Sequence, residues 1–209
     1  MAAYTQRVRD NILPLSVAAT LPEAFEEWSF TENVQDHEEA NESCQLCDHE
    51  QLRYHFEIRN ALTDHRLWVG SKCILQFGIS VFENNQRLDN ATAKKKLARL
   101  TEQMRLESCL RALQALADSE NNPILLNALN YYRSNKHLTP KFAAVVFWKL
   151  REHRIDHKAS FFKVTLRRDQ HKDDLRRMQP WQISAIWPAL SVSQRRLAES
   201  MGIEPPNPG

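Results

Sequence analysis

The feature that most constrains this chain is Cys44-Gln-Leu-Cys47, with Cys73 following after 25 intervening residues. A Cys-x2-Cys turn aims two thiols at one point, and a third thiol opening a helix can join them across a hairpin. The intervening stretch supplies that hairpin. Leu52, Tyr54, Phe56 and Ile58 alternate with Arg53, His55, Glu57 and Arg59, the period-two pattern of a half-buried strand. A turn over residues 60–65 leads to a second strand, Leu67-Trp68-Val69, after which Gly70-Ser71 breaks the strand. Cys73, Ile74, Leu75 and Phe77 then read as a short helix ending near Gly78. Knuckle, hairpin and helix in that order predict a zinc site with Cys44, Cys47 and Cys73 as thiolate ligands.

Zinc takes four ligands, and reach ranks the candidates for the fourth. His65 lies at the hairpin tip, and eight strand residues at ~3.3 Å each put it roughly 25 Å from the base, too far to ligate. His49, two residues beyond Cys47, is the first choice; Asp48, His55, His37 and Cys109 are the alternatives. Cys109 lies in a strong amphipathic helical pattern, where a buried thiol is the ordinary expectation. A thioredoxin-like redox pair would open a helix after a strand, whereas here an acidic stretch precedes the pair and a hairpin follows it.

Around this module the chain reads as helical. Only four glycines occur, and helix-forming residues dominate, so the expected fold class is mainly α with a small zinc-bound β-hairpin, an α+β protein with a helical body. Thr20-Leu-Pro-Glu23 is a capping box, and the polar run 31–43 reads as an exposed connection. The longest helix is expected over 91–117, with Lys94, Lys95 and Lys96 on a solvated face at its head. Asn122-Pro123 and Thr139-Pro140 start two more helices, Phe162, Val164 and Leu166 alternate as a lone strand, and a basic helical run extends to Met178. Trp181, Ile186, Trp187 and Leu190 form an apolar cluster, and Ser191 to Gln194 cap a last helix that stops at Gly202. The expected organisation is an acidic N-terminal arm over 1–43, a knuckle and hairpin over 44–80, a helical domain over 81–203 and a disordered tail over 204–209.

Charge is polarised along the chain. Residues 1–50 hold two basic residues against eleven acids, a balance of −9, so the remainder carries +11 within the overall +2. Residues 149–177 hold ten Lys or Arg against five acids, flanked by Trp148, Phe161, Phe162 and Trp181. Cations beside aromatic platforms are a common way to hold single strands, so Arg151, Arg154, Lys163, Arg167, Arg168, Lys172, Arg176 and Arg177 are the candidate nucleic-acid contacts. No run approaches the ~20 apolar residues of a membrane span, and the opening residues lack a signal-peptide core, so a cytoplasmic protein without a membrane partner is expected. The chain has no Gly-rich phosphate loop, Gly-x-Ser-x-Gly or His-Glu-x-x-His, which predicts neither catalysis nor a small-molecule substrate. Ser193 to Ile203 is similar to the first helix and turn of a helix-turn-helix, but the sequence stops where the recognition helix would begin.

Residues 44–77, CQLCDHEQLRYHFEIRNALTDHRLWVGSKCILQF, resemble the treble-clef-like zinc-knuckle proteins of phage, plasmid and integrative elements. The resemblance lies in the Cys-x-x-Cys, the aromatic strand ending in Ile-x-Asn, and Val-Gly-Ser-x-Cys-Ile before a Phe, about 34 of 209 residues. It implies mobile-element biology; one setting is the large-subunit-like zinc-finger protein of type IV CRISPR effectors, a subunit of a multi-subunit RNA-guided complex. The expected function is therefore a zinc-containing, non-catalytic DNA- or RNA-binding module. The alternative is a protein-interaction or inhibitor protein whose acidic arm occupies a partner's basic channel.

Overall fold

The computed structural model of the chain describes residues 2–206, with side chains from Gln6 onward. It divides into two compact units, residues 1–104 and 105–209. The result is mainly α with one three-stranded antiparallel sheet and one two-stranded hairpin, as the composition predicts.

Unit 1 is built on β1 (Trp28–Asp36), β2 (Tyr54–Asn60) and β3 (Arg66–Val69), ordered β1-β2-β3. The β2–β3 hairpin is the one read from the alternation, with Phe56 opposite Val69 and Ile58 opposite Leu67. Its turn is closed by Asn60, whose side-chain oxygen accepts from the amides of Leu62 (2.8 Å) and Thr63 (3.1 Å). This is the Asx geometry that recommends Asn at turns.

β1 corrects the sequence reading, which placed an exposed connection from residue 31. Trp28 and Phe30 bury one end of the strand, Val34 to Asp36 pair with Phe56 to Tyr54, and a bulge between Phe30 and Val34 interrupts the register. The polar Thr31-Glu32-Asn33 concealed the strand because it occupies that bulge, with Glu32 at φ 72°. Thr31 and Asn33 each donate to the buried Glu57 carboxylate at 2.8 Å.

The N-terminal segment is likewise structural in unit 1. α1 (Ala2–Ile12) buries Val8 and Ile12 completely, and α2 (Leu21–Glu26) buries Ala24 and Phe25. The acids expected to make an independent arm have local partners. Glu27 accepts from the amides of Val17 (3.0 Å) and Ala18 (2.7 Å) and from the Asn60 amide (2.6 Å), and Asp36 pairs with Arg53. Thr20 donates its hydroxyl to Glu23 instead of capping the helix backbone.

α3 (Ser71–Gln76) carries Cys73 and ends before Gly78, whose φ of +65° suits a residue without Cβ. A tight hairpin of β4 (Phe82–Glu83) and β5 (Gln86–Arg87) follows, turned by Asn84 and Asn85, both left-handed. α4 (Asn90–Ser119) is capped by Asp89, which accepts from the Thr92 amide at 3.0 Å. Lys94 and Lys95 are exposed, but Lys96 is buried: its ammonium bonds the Glu32 carboxylate and the Phe82 carbonyl, holding the β1 bulge and the β4 turn together. That correction to the solvated reading of Lys96 needs the bulge, which no helical periodicity reveals.

Unit 2 begins at Arg105, within α4. It continues through α5 (Pro123–Asn135), α6 (Pro140–Glu152), α7 (Asp169–Arg176), α8 (Pro180–Ile186) and α9 (Val192–Ser200). Asn122, Thr139 and Ser191 cap three of these by accepting from the third amide beyond, as their sequence positions predict. Leu113, Leu125, Leu129, Leu138, Val146, Leu150, Phe162 and Ile186 fill its core. The expected strand at 162–166 is a single parallel bridge to Leu138, with the Leu138 amide donating to Lys163 (2.8 Å) and the Thr165 amide to Leu138 (2.9 Å). Leu138 lies between the left-handed Lys136 and the cap Thr139, so its segment is too short to offer a strand partner. Of the tail, Glu204 to Pro206 have no regular secondary structure and residues 207–209 lie outside the described residues.

Candidate metal centre

Three elements deliver the three thiols. The Cys44–Cys47 turn is closed by the Asp48 amide donating to the Cys44 carbonyl (2.8 Å) and the Cys44 amide to the His49 carbonyl (2.9 Å), with Asp48 left-handed at φ 57°. Leu46 plugs the core, and Gln45 pins the turn to β3 by exchanging two bonds with the Trp68 backbone, at 2.7 and 3.0 Å. Asn11 of α1 donates to the Leu46 carbonyl and the Asp48 carboxylate. Cys73 arrives on the first turn of α3, just beyond Gly70, where a Cβ would come within 3.3 Å of Leu52.

The sulfurs converge. Cys73 Sγ lies 3.7 Å from Cys44 Sγ and 3.3 Å from Cys47 Sγ, and all three lie within 4.8 Å of one another in a buried pocket. A tetrahedron with metal–sulfur bonds of ~2.3 Å has edges of ~3.8 Å, whereas a disulfide would bring two sulfurs to ~2.05 Å. The donor set therefore fits a metal ion, and the three cysteines could hold one. Electrostatics agree. The Cys44 thiol is pushed down to about 5 by its bond to Cys73 and by the amides of Gly70, Leu46 and Cys47. Cys73 is pushed up by the same neighbour and by burial, because one thiolate suppresses the next until a cation neutralises both.

The fourth-ligand candidates separate clearly. His49 is exposed and lines a cavity of about 450 Å³ together with the three thiols, though its nitrogens fall outside their close cluster. Asp48 is bonded by Asn11. His55 is buried and engaged at both nitrogens: Nε2 faces the Ser43 carbonyl (3.1 Å), so it donates, and Nδ1 faces His37 Nε2 (3.0 Å). His37 is thereby directed at His55. Cys109 belongs to the unit 2 core, where burial and Asp156 push its thiol up to about 12. His65 points to Thr63 at the hairpin turn.

The candidate nucleic-acid contacts fall into two sets. Lys172 pairs with Asp169 and Arg176 with Asp173, each at 2.8 Å. Arg151, Arg154, Lys163, Arg167, Arg168 and Arg177 are exposed without a carboxylate partner among the described residues. Of the flanking aromatics, Phe161 and Phe162 are core residues, while Trp148 and Trp181 are about half exposed and meet edge to face at 6.0 Å. One cation beyond these, Lys136, was not singled out in the sequence. Lys136 is the C-cap of α5, in the left-handed conformation. Lys149, counted in the basic run, is buried between Glu120 (2.9 Å) and Glu152 (2.7 Å), whose carboxylates also face His153 Nε2 at 3.2 and 3.4 Å. No helix among the described residues is long and apolar enough to cross a membrane. The chain matches no protein-family model, no curated protein and no solved structure.

Proposed function

We propose that the chain is a zinc-organised, non-catalytic nucleic-acid-binding module, in which unit 1 is stapled by the metal and unit 2 carries the phosphate-facing surface. Cys44, Cys47 and Cys73 hold zinc, and His49, on the wall of the same cavity, turns in as the fourth ligand. Bound there, zinc neutralises three buried thiolates and cross-links the knuckle to α3.

The observation that carries the nucleic-acid reading is the partition of charge between the units. Residues 1–104 hold 11 Lys or Arg against 16 Asp or Glu, a balance of −5, and residues 105–209 hold 17 against 10, a balance of +7. The acids of unit 1 are largely tied to its own donors, while six exposed cations of the 149–177 segment have no carboxylate partner among the described residues. The resemblance of residues 44–77 supports a mobile-element or defence setting, an RNA-guided complex being the specific case. The N-terminal acids serve an inhibitor reading less well, because α1 and β1 are built into the unit 1 core.

The test is elemental analysis of chain purified without added metal, with a salt series of binding to single-stranded and duplex DNA and RNA. The expected result is one zinc per chain and log affinity falling linearly with log salt, at ~0.7 to 0.9 per phosphate contacted. Stoichiometric zinc with no binding at low salt would overturn the nucleic-acid reading and leave the metal reading intact.

A further inference from the structure

Unit 2 contains a groove of about 460 Å³ whose lining includes Lys136, His137, Lys163, Arg167, Ser193 and Gln194 and no Asp or Glu. Elsewhere in the unit Lys141, Lys172 and Arg176 each have a carboxylate at 2.8 Å. Lys136, Lys163 and Arg167 have none among the described residues, and all three are exposed. Three unneutralised cations from two chain segments meeting at one concave surface make a site that attracts an anion.

The backbone holds these groups in place. Lys136 caps α5 in the left-handed conformation (φ 57°), its amide donating to the Tyr132 carbonyl at 2.7 Å, and its side chain leaves from that fixed cap. His137 donates from Nδ1 to the Asn135 carbonyl at 2.7 Å and stands edge-on to Tyr131, which leaves Nε2 as its available nitrogen. The bridge to Leu138 buries Val164 and Leu166 and leaves Lys163 and Arg167 exposed at either end of the segment. Gln194 closes the opposite wall, donating to the Val164 carbonyl at 2.6 Å, and sits in the first turn of the nine-residue α9, whose N-terminal dipole end is positive. Concavity, a preset imidazole, three cations and the absence of carboxylates suit the oxygens of a phosphate group.

We propose that this groove seats a backbone phosphate of a nucleic-acid strand, with Lys136, Lys163 and Arg167 as its cationic contacts and His137 Nε2 as a further polar contact. The proposal rests on the nucleic-acid reading above and adds Lys136 and His137, which lie outside the basic segment.

The test compares two triple variants of the full chain, Lys136→Gln/Lys163→Gln/Arg167→Gln in the groove and Arg151→Gln/Arg154→Gln/Arg177→Gln outside it. Both are read by fluorescence anisotropy with a single-stranded oligonucleotide across a salt series, and thermal melts confirm folding. The groove triple is expected to weaken binding at least tenfold at low salt and to flatten the log–log salt slope by about 0.7, the contribution of one lost phosphate contact on a single strand. An unchanged slope in the groove triple with a flattened one in the outer triple would overturn the groove and keep the nucleic-acid reading. No oligonucleotide binding by the unaltered chain would overturn both. Inorganic phosphate and a nucleoside monophosphate are titrated in parallel by NMR. Saturation of the Lys136 and Lys163 amide shifts by either anion, with the oligonucleotide ignored, would overturn the strand in favour of a small phosphate ligand.

Discussion

Replacing Cys73 by Ser tests the metal staple most directly. Cys47 and Cys73 are 26 residues apart in sequence, and their sulfurs lie 3.3 Å apart. A bridge across that loop removes chain entropy worth about 3.5 kcal/mol on the disulfide relation, taking the metal as an equivalent cross-link. For a unit of about 100 residues, each kcal/mol moves the melting point by ~4–8 °C, so loss of the staple should lower it by about 14–28 °C. The assay is thermal melting of wild type, Cys73→Ser and Cys109→Ser, each with and without a chelator. Wild type and Cys109→Ser should fall together when chelated, because Cys109 lies in the unit 2 core. Cys73→Ser should already melt low and ignore the chelator. A wild-type transition that chelation leaves in place would refute the staple and reduce the three thiols to ordinary core residues.

Lys96→Met keeps the buried stem but removes the donor to Glu32 and the Phe82 carbonyl, and with Glu32 64% exposed the loss should be about 1–2 kcal/mol, measured by urea unfolding. Glu57 should govern part of the acid limb of stability: burial alone would raise its carboxyl, but bonds from Asn33 and Thr31 and the Arg66 guanidinium hold it below the usual value of 4.5. A depressed carboxylate stabilises above its unfolded value and loses that contribution as pH falls through its folded one, so stability should decline below about pH 4.5, and Glu57→Gln should flatten that decline in denaturant titrations at several pH values. Tyr132→Phe removes the hydroxyl bonded to the Phe161 carbonyl at 2.9 Å and should cost unit 2 about 1 kcal/mol, with an unchanged urea midpoint counting against that bond.

Much of this protein was legible because the relevant physics is local. The caps at Asn122, Thr139 and Ser191, the long helix and the β2–β3 hairpin each depend on residues a few positions apart, so spacing alone predicts them. The metal-site thiols were legible for a related reason: a two-residue spacing and a returning hairpin bring Cys44, Cys47 and Cys73 to one end of the same sheet whatever surrounds them. By contrast, β1 was misread beyond Phe30 because its polar bulge makes sense only beside Glu57 and Lys96, 24 and 63 positions from Asn33. The 162–166 segment has strand-like alternation, yet strands require partners, and Leu138 offers a single residue. Which cations are neutralised and which face solvent was equally beyond composition, since Lys149 and Arg154 are indistinguishable in a charge count. Local hydrogen bonding and periodicity are written into neighbouring residues, so the sequence by itself determined the long helix, the caps at Asn122, Thr139 and Ser191, the β2–β3 hairpin and the thiol set. Burial and charge pairing depend on what the chain brings back from afar, and only the tertiary structure decided the third strand, the buried lysines and the acid-free groove.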